Sequence, residues 1–177
     1  MNKRIIALVA LFATMLFSVV GCAGKGAGSE ESTFAANLYA AKNPYIENTS
    51  ANNDLVGLLG VGNYGKYTLS VNDDAHPYTL KISFMYLDNS VDQSTMDAKM
   101  LNVAIALLAL IDDCEQVDWS YPGSEGLVTG AVGVDYAKEV AGTDVKKAGK
   151  DEATFSSLCN KLFPDKALAA EDGSKEK

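Results

Sequence analysis

Histidine occurs once in these 177 residues, at His76, and proline only four times. A zinc site takes three or four ligands held by the surrounding structure. With one histidine, those ligands would be mostly carboxylates and thiolates. Asp73 and Asp74 precede His76, but all three fall in one short stretch, and Asp is a preferred turn residue. A Cys–His nucleophile pair would have to bring Cys114 or Cys159 to that single ring, and nothing in their spacing does so. No H-E-x-x-H and no G-x-S-x-G occurs. The adjacent acids Asp112, Asp113 and Glu115 read as a solvated rim at a helix end. No catalytic, metal or cofactor residue is therefore assigned from the sequence, and no cofactor is expected.

Basic residues are also scarce, 15 against 23 acids. A partner that binds by phosphate neutralisation needs clustered Lys and Arg, so a nucleic-acid role is disfavoured. Cysteine is limited to Cys22, Cys114 and Cys159. The last two are open to two readings. They form a disulfide, if the chain is exported, or they are two buried thiols on apolar helical stretches.

Among the residues present, GVGNYGKY at 60–67 invites a nucleotide reading through Gly60, Gly62, Gly65 and Lys66. A dinucleotide fingerprint needs a strand before it and a helix after it, so that phosphate meets the helix N-terminus. Here the order is reversed, a short helical stretch and then a strand. A P-loop also needs Ser or Thr after its Lys, where this chain has Tyr67. The stretch reads as a Gly-rich helix-to-strand turn.

The N-terminus has the layout of an export signal. Lys3 and Arg4 precede an apolar stretch, Ile5–Val20, closed by Val19-Val20-Gly21-Cys22. Those four residues resemble a bacterial lipobox, which implies cleavage before Cys22 and its acylation. Each buried CH₂ of an acyl chain contributes about 0.8 kcal/mol, so several chains anchor a domain firmly. The expected boundaries are a signal over 1–21, the lipidated Cys22 with a polar, Gly-rich tether through 32, one domain over 33–163, and a disordered charged tail over 164–177. Loss of residues 1–21 removes two basic residues and no acid, leaving 13 against 23 and a net charge of −10.

Within the domain, hydrophobic periodicity predicts a helix from Thr33 to a stop at Asn43-Pro44. A second helix near residues 52–60 is capped by Ser50 or Asn52. Period-two alternation predicts strands over 66–71 and 78–86, joined by a turn at 72–77 as a hairpin. Ser94 and Asp97 resemble a capping box, opening a helix that runs to about Asp113. Its segment Val103–Ile111 is apolar all round, which predicts a central buried helix. Strands follow near 117–121 and 127–132, then helices over 134–140 and 151–162. The fold class is α+β: a small antiparallel sheet of three or four strands against the apolar helix, with helices at both ends.

The stretches LYAAKNPYIENTSANNDLVGLLG, YTLSV, HPYTLKISFMY and LNVAIALLALIDDCEQVDW resemble a bacterial domain-of-unknown-function family, number 4825, over about residues 34–163. The shared positions are Leu38, Tyr39, Lys42 and Tyr45 of an L-Y-x-x-K-x-x-Y opening and the Pro77-Tyr78 pair. VDYAKEVAGTDVKKAGKDEATFSSL is similar to the family's C-terminal portion. The resemblance implies a small extracytoplasmic domain, mostly from Gram-positive bacteria. Some relatives are lipoproteins and others are fused to membrane metallopeptidase sensors that respond to β-lactams. The family has no established activity, so it lends no catalytic residue. Eight tyrosines suit recognition surfaces. The expected function is a non-enzymatic, membrane-anchored accessory domain that binds or senses a protein or cell-envelope partner. The alternative is a small-ligand-binding lipoprotein with a Tyr-lined pocket, and an unrecognised hydrolase ranks last. The lipobox reading predicts that Cys22→Ser abolishes incorporation of labelled palmitate and releases the protein from the membrane fraction. Unchanged labelling would overturn it.

Overall fold

The structure, a computed structural model, describes residues 30–88 and 92–166, and the backbone alone for 30–33. The stretch read as an export signal, Cys22 and most of the charged tail lie outside the described residues. Helices α1 (Glu30–Ala40) and α2 (Thr49–Leu58) lead through a 3₁₀ turn (Val61–Tyr64) into strands β1 (Gly65–Asn72) and β2 (Thr79–Leu87). Helix α3 (Gln93–Leu110) connects β2 to β3 (Gln116–Gly123), which turns back into β4 (Gly126–Gly133). Helices α4 (Val134–Ala141), α5 (Val145–Ala148) and α6 (Glu152–Leu162) close the chain. The class is α+β.

The four strands lie in sequence order, with β1–β2 and β3–β4 antiparallel and β2–β3 parallel. The sheet is therefore mixed, which corrects the antiparallel expectation. The cause is α3. At 1.5 Å per residue its 18 residues run about 27 Å, roughly the length of an eight-residue strand. The helix carries the chain back along the sheet, so β3 starts at the same end as β2.

One sheet face is apolar. Leu69 pairs with Ile82, Ile82 with Trp119 and Val117 with Val132 across the strands. The other face carries Thr68, Ser83, Ser120 and Thr129 in register, with Lys81 beside Asp118. The alternation expected across β2 fails at Tyr86, which is 54% exposed. The register shifts between Lys66 and Tyr67, so that Tyr67 faces Phe84 while Lys66 faces Tyr86. The additional residue, Met85, is a bulge that turns Tyr86 away from the apolar face.

Against the apolar face packs α3, in which every residue from Val103 to Leu110 is buried, as is Ile111 after it. Its start differs from the expected capping box. The N-cap is Asp92, which accepts from the Thr95 amide at 3.0 Å and from the Ser94 and Thr95 hydroxyls at 2.7 Å. These bonds hold the Asp92 carboxyl well below the usual carboxylate range. Asp97 instead accepts from the Tyr121 hydroxyl at 2.7 Å. The α2 cap is likewise Asn48, bonded to the Ala51 amide at 3.2 Å, ahead of the expected Ser50 or Asn52. Helix α1 starts at Glu30, inside the stretch read as tether, and Pro164–Lys166 form a helical turn at the start of the stretch read as tail.

The 60–67 stretch is a helix-to-strand junction, a 3₁₀ turn over Val61–Tyr64 that enters β1 at Gly65. Gly60 sits in the left-handed region at φ 74° and Gly65 at φ 152°, where a Cβ would also lie 2.1 Å from the Tyr86 carbonyl oxygen. Both glycines serve the backbone. Two more set packing distances. A Cβ on Gly130 would lie 2.2 Å from the Trp119 ring, which covers it. A Cβ on Gly149 would lie 1.7 Å from the Ala109 carbonyl oxygen, so the end of α5 rests directly on the backbone of α3.

This packing predicts opposite outcomes for two Gly→Ala changes. Gly149→Ala forces α5 off α3 and should cost about 1–3 kcal/mol or more, the range of overpacked cores. Gly57→Ala, in α2 with nothing within 4 Å of the added Cβ, should stabilise by about 0.5–1 kcal/mol. Chemical denaturation of both variants checks the pair, and equal effects would refute it.

Candidate binding cleft at the end of helix α3

The turn after α3 has a dense polar structure. Asn43 donates its backbone N–H to the Leu110 carbonyl at 2.9 Å, and the Asp112 N–H donates back to the Asn43 carbonyl at 3.1 Å. The Asn43 amide donates to Asn52 Oδ1 at 3.0 Å and to the Tyr45 carbonyl at 2.7 Å. Asn52 donates to the Ile46 carbonyl at 2.5 Å. Both asparagines are buried, so each bond satisfies a group that water cannot reach. Asp113 accepts from the Ile46 N–H at 2.7 Å. Lys42 pairs with Asp112 at 3.0 Å.

Lys146 closes the same end from α5. Its ammonium donates to the carbonyls of Ile111 at 2.8 Å and Cys114 at 2.5 Å. A cation there complements the negative end of the helix and its free carbonyls. Burial lowers the Lys146 pKa, while Asp112, Asp113 and Glu115 act the other way.

Across from this turn, the β1–β2 hairpin brings His76 to Glu115. Nδ1 lies 2.7 Å from Oε2, and the Tyr78 N–H donates to the same oxygen at 2.9 Å. The His76 ring stacks on Tyr78 at 4.1 Å and 21°. Hydrogen bonds from His76 and the Tyr78 N–H hold the Glu115 carboxyl below its ordinary value.

Between these groups lies an open cleft of about 1190 Å³. One wall is His76, Pro77 and Tyr78, and the floor is the acidic turn 112–116. The far wall is the β4–α4 junction, Gly133–Tyr136, with Lys146 and Lys150 of the α5 region. Tyr136 is 51% exposed.

Of the residues singled out in the sequence, His76, Pro77, Tyr78, Asp112, Asp113 and Glu115 line this cleft. Leu38 is core. Tyr39 donates its hydroxyl to the Lys150 carbonyl at 3.0 Å and packs on Phe155. Lys42 serves the salt bridge to Asp112, and Tyr45 is exposed. Of the two readings for the cysteines, the structure has buried free thiols, Cys114 at the start of the cleft turn and Cys159 in α6. Desolvation raises their pKa values, to about 11 and about 12, so neither is a ready thiolate. Among the described residues no group of three His, Cys, Asp or Glu is arranged to hold a metal ion, and no helix is long and apolar enough to cross a membrane. Asp135 and Lys146 were not singled out. Only the Lys-Lys pair after Asp144 marks α5, and four residues are too few for periodicity to register.

An α+β domain with a mixed four-stranded sheet and a cleft beyond one end of it defines the class. The chain belongs to the family described as Domain of unknown function (DUF4825), whose model matches residues 38–131. The match is narrower than the 34–163 expected, and omits α4, α5 and α6. No curated protein and no solved structure matches the chain.

Because Glu115 is charged in its folded contacts at a lower pH than in the unfolded chain, its contribution is complete above about pH 4.5, its ordinary value. It is lost as pH falls through the lowered folded value. Glu115→Ala should therefore lower the thermal midpoint at neutral pH. The difference from the unsubstituted protein should shrink as the pH drops below that value. A difference that stays constant across the acid range would show that the pair is not what matters.

Proposed function

We propose that this protein is a membrane-anchored extracytoplasmic lipoprotein whose domain is a non-catalytic binding or sensing module for a protein or cell-envelope partner. The cleft at the end of α3 is its recognition site. The observation that carries this reading is how the cleft's ionisable groups are used. Lys146 holds the Ile111 and Cys114 carbonyls of the turn after α3, Asp113 holds the Ile46 amide, and Glu115 holds His76 and Tyr78. Each is engaged in fixing the shape of the cleft, while Tyr78, Asp135 and the exposed Tyr136 also line it and supply contact surface. A general base or nucleophile needs a partner geometry and a matched pKa, and these groups are held for another purpose. The size of the cleft points the same way. Small-molecule sites usually enclose about 300–1,000 Å³. At about 1190 Å³ and open to one side, this cleft suits an extended segment of a larger partner.

The anchoring part of the proposal rests on the lipobox at Val19–Cys22, and its envelope location follows from that anchor. The small-ligand reading keeps one specific support, the stacked His76–Tyr78 pair, which offers a flat aromatic surface.

A photo-crosslinking residue placed at Tyr136 in the full-length chain in membranes tests the proposal. The expected result is a discrete adduct that is lost when Tyr78→Ala is added, with none from the same probe at the exposed Met85, near the far end of β2. Equal labelling at both positions refutes the cleft as the recognition site. A muropeptide at about 100 times its dissociation constant would add roughly 2.7 kcal/mol of stability. A midpoint rise of that size with no macromolecular adduct would favour the small ligand instead.

A further inference from the structure

The two edges of the sheet are built differently. At the β1 edge a lysine, Lys66, sits beside the bulge that shifts the register to β2. Charge and bulging are two of the devices that keep an edge from pairing with another chain. At the β4 edge neither is present. Its eight residues, GLVTGAVG, contain no charged residue and no proline, and they pair with β3 from Gly126 to Gly133 without a break. Among the described residues no further strand pairs with it. Leu127 at its start is 71% exposed. In a chain this acidic, an uncharged, regular, eight-residue edge offers its free backbone groups to another strand.

We propose that β4 pairs antiparallel with β4 of a second copy of this chain, joining two four-stranded sheets into one of eight. The occupant follows from the sequence of the edge. A strand next to β4 has to keep its own apolar side on the helix face, so facing residues must have the same facing. A two-fold axis at Thr129 does this. It sets Thr129 against its own copy and Leu127 against Ala131 on the open face. On the helix face it sets Val128 against Gly130, and Gly126 against the buried Val132. Threonine pairs and apolar pairs across strands are favourable, and no like charges meet, because the strand has none. A charged partner segment would find no opposite charge along this edge, whereas a second β4 matches it in character from Gly126 to Val132. This inference uses none of the cleft's polar groups, although the cleft begins at the Gly133 end of β4.

The axis makes the test direct. Residues facing each other in an antiparallel pair have Cα atoms about 4.5–5.5 Å apart, within the 4.4–6.8 Å that a disulfide spans. The exposed Thr129 is changed to cysteine in the full-length chain in membranes, and mild oxidation is followed by non-reducing electrophoresis. Thr68→Cys, exposed on β1, is the control, and the unsubstituted chain sets the background from its own cysteines. The expected result is a band of twice the chain mass for Thr129→Cys, at least tenfold above Thr68→Cys, and lost when Ala131→Pro is added. A dimer band no stronger than the control overturns the proposal, as does one that survives Ala131→Pro. A discrete adduct of any other mass at Thr129→Cys also overturns it, in favour of a different protein at the same edge.

Discussion

The burial of α3 on every side is the constraint on which the rest of the structure depends. From Val103 to Ile111 the helix has no polar face to give to water. An ordinary amphipathic helix needs one apolar surface to cover its stripe; this one needs several. The sheet covers one side. Helices α5 and α6 close in from another, with Gly149 letting α5 approach to backbone contact. The order of elements follows from this requirement, since the segments before and after the sheet both have to return to the same helix. The parallel pairing of β2 and β3 is the topological trace of running that helix between two strands.

A helix enclosed in this way has a difficult end. Its last carbonyls cannot turn to solvent along its length, and the chain must leave it to start β3. The Asn43 N–H on the Leu110 carbonyl and the Lys146 ammonium on the Ile111 carbonyl meet this need, and the Asn43–Asn52 pair and the Asp113 bond to Ile46 fix the loop that packs there. The cleft is the outer surface of that same arrangement. Its floor is held by those same bonds, and a preorganised surface loses little freedom on binding.

The main elements were legible because they rest on periodicity. The alternation in Lys66–Val71 and the unbroken apolar run in α3 leave few alternatives, and the Gly60–Gly65 turn was legible from the order of its neighbours. What was not legible depends on contacts between distant residues. The caps at Asn48 and Asp92 lost to nearby Ser and Asn candidates because those side chains compete for the same amides and only the backbone path decides. The bulge at Met85 is invisible to alternation, which places Tyr86 in the core. The cleft joins residue 76 to residues 115, 136 and 146, and no local pattern announces such a meeting. Six of its lining residues, His76, Pro77, Tyr78, Asp112, Asp113 and Glu115, stand out in the sequence, but as turn, rim or motif positions and never as one site.

Two glycines described above differ in a way that genetics would notice. The atom that a side chain at 130 would strike belongs to the Trp119 ring, and a ring can be traded for something smaller. A lesion at 130 is thus open to a compensating change at 119, and the two positions are free to drift together through related sequences. At 149 the obstacle is the oxygen of the main chain at 109, which every amino acid brings with it. No exchange at 109 can make room, so position 149 stands alone, without a partner through which its loss could be repaired.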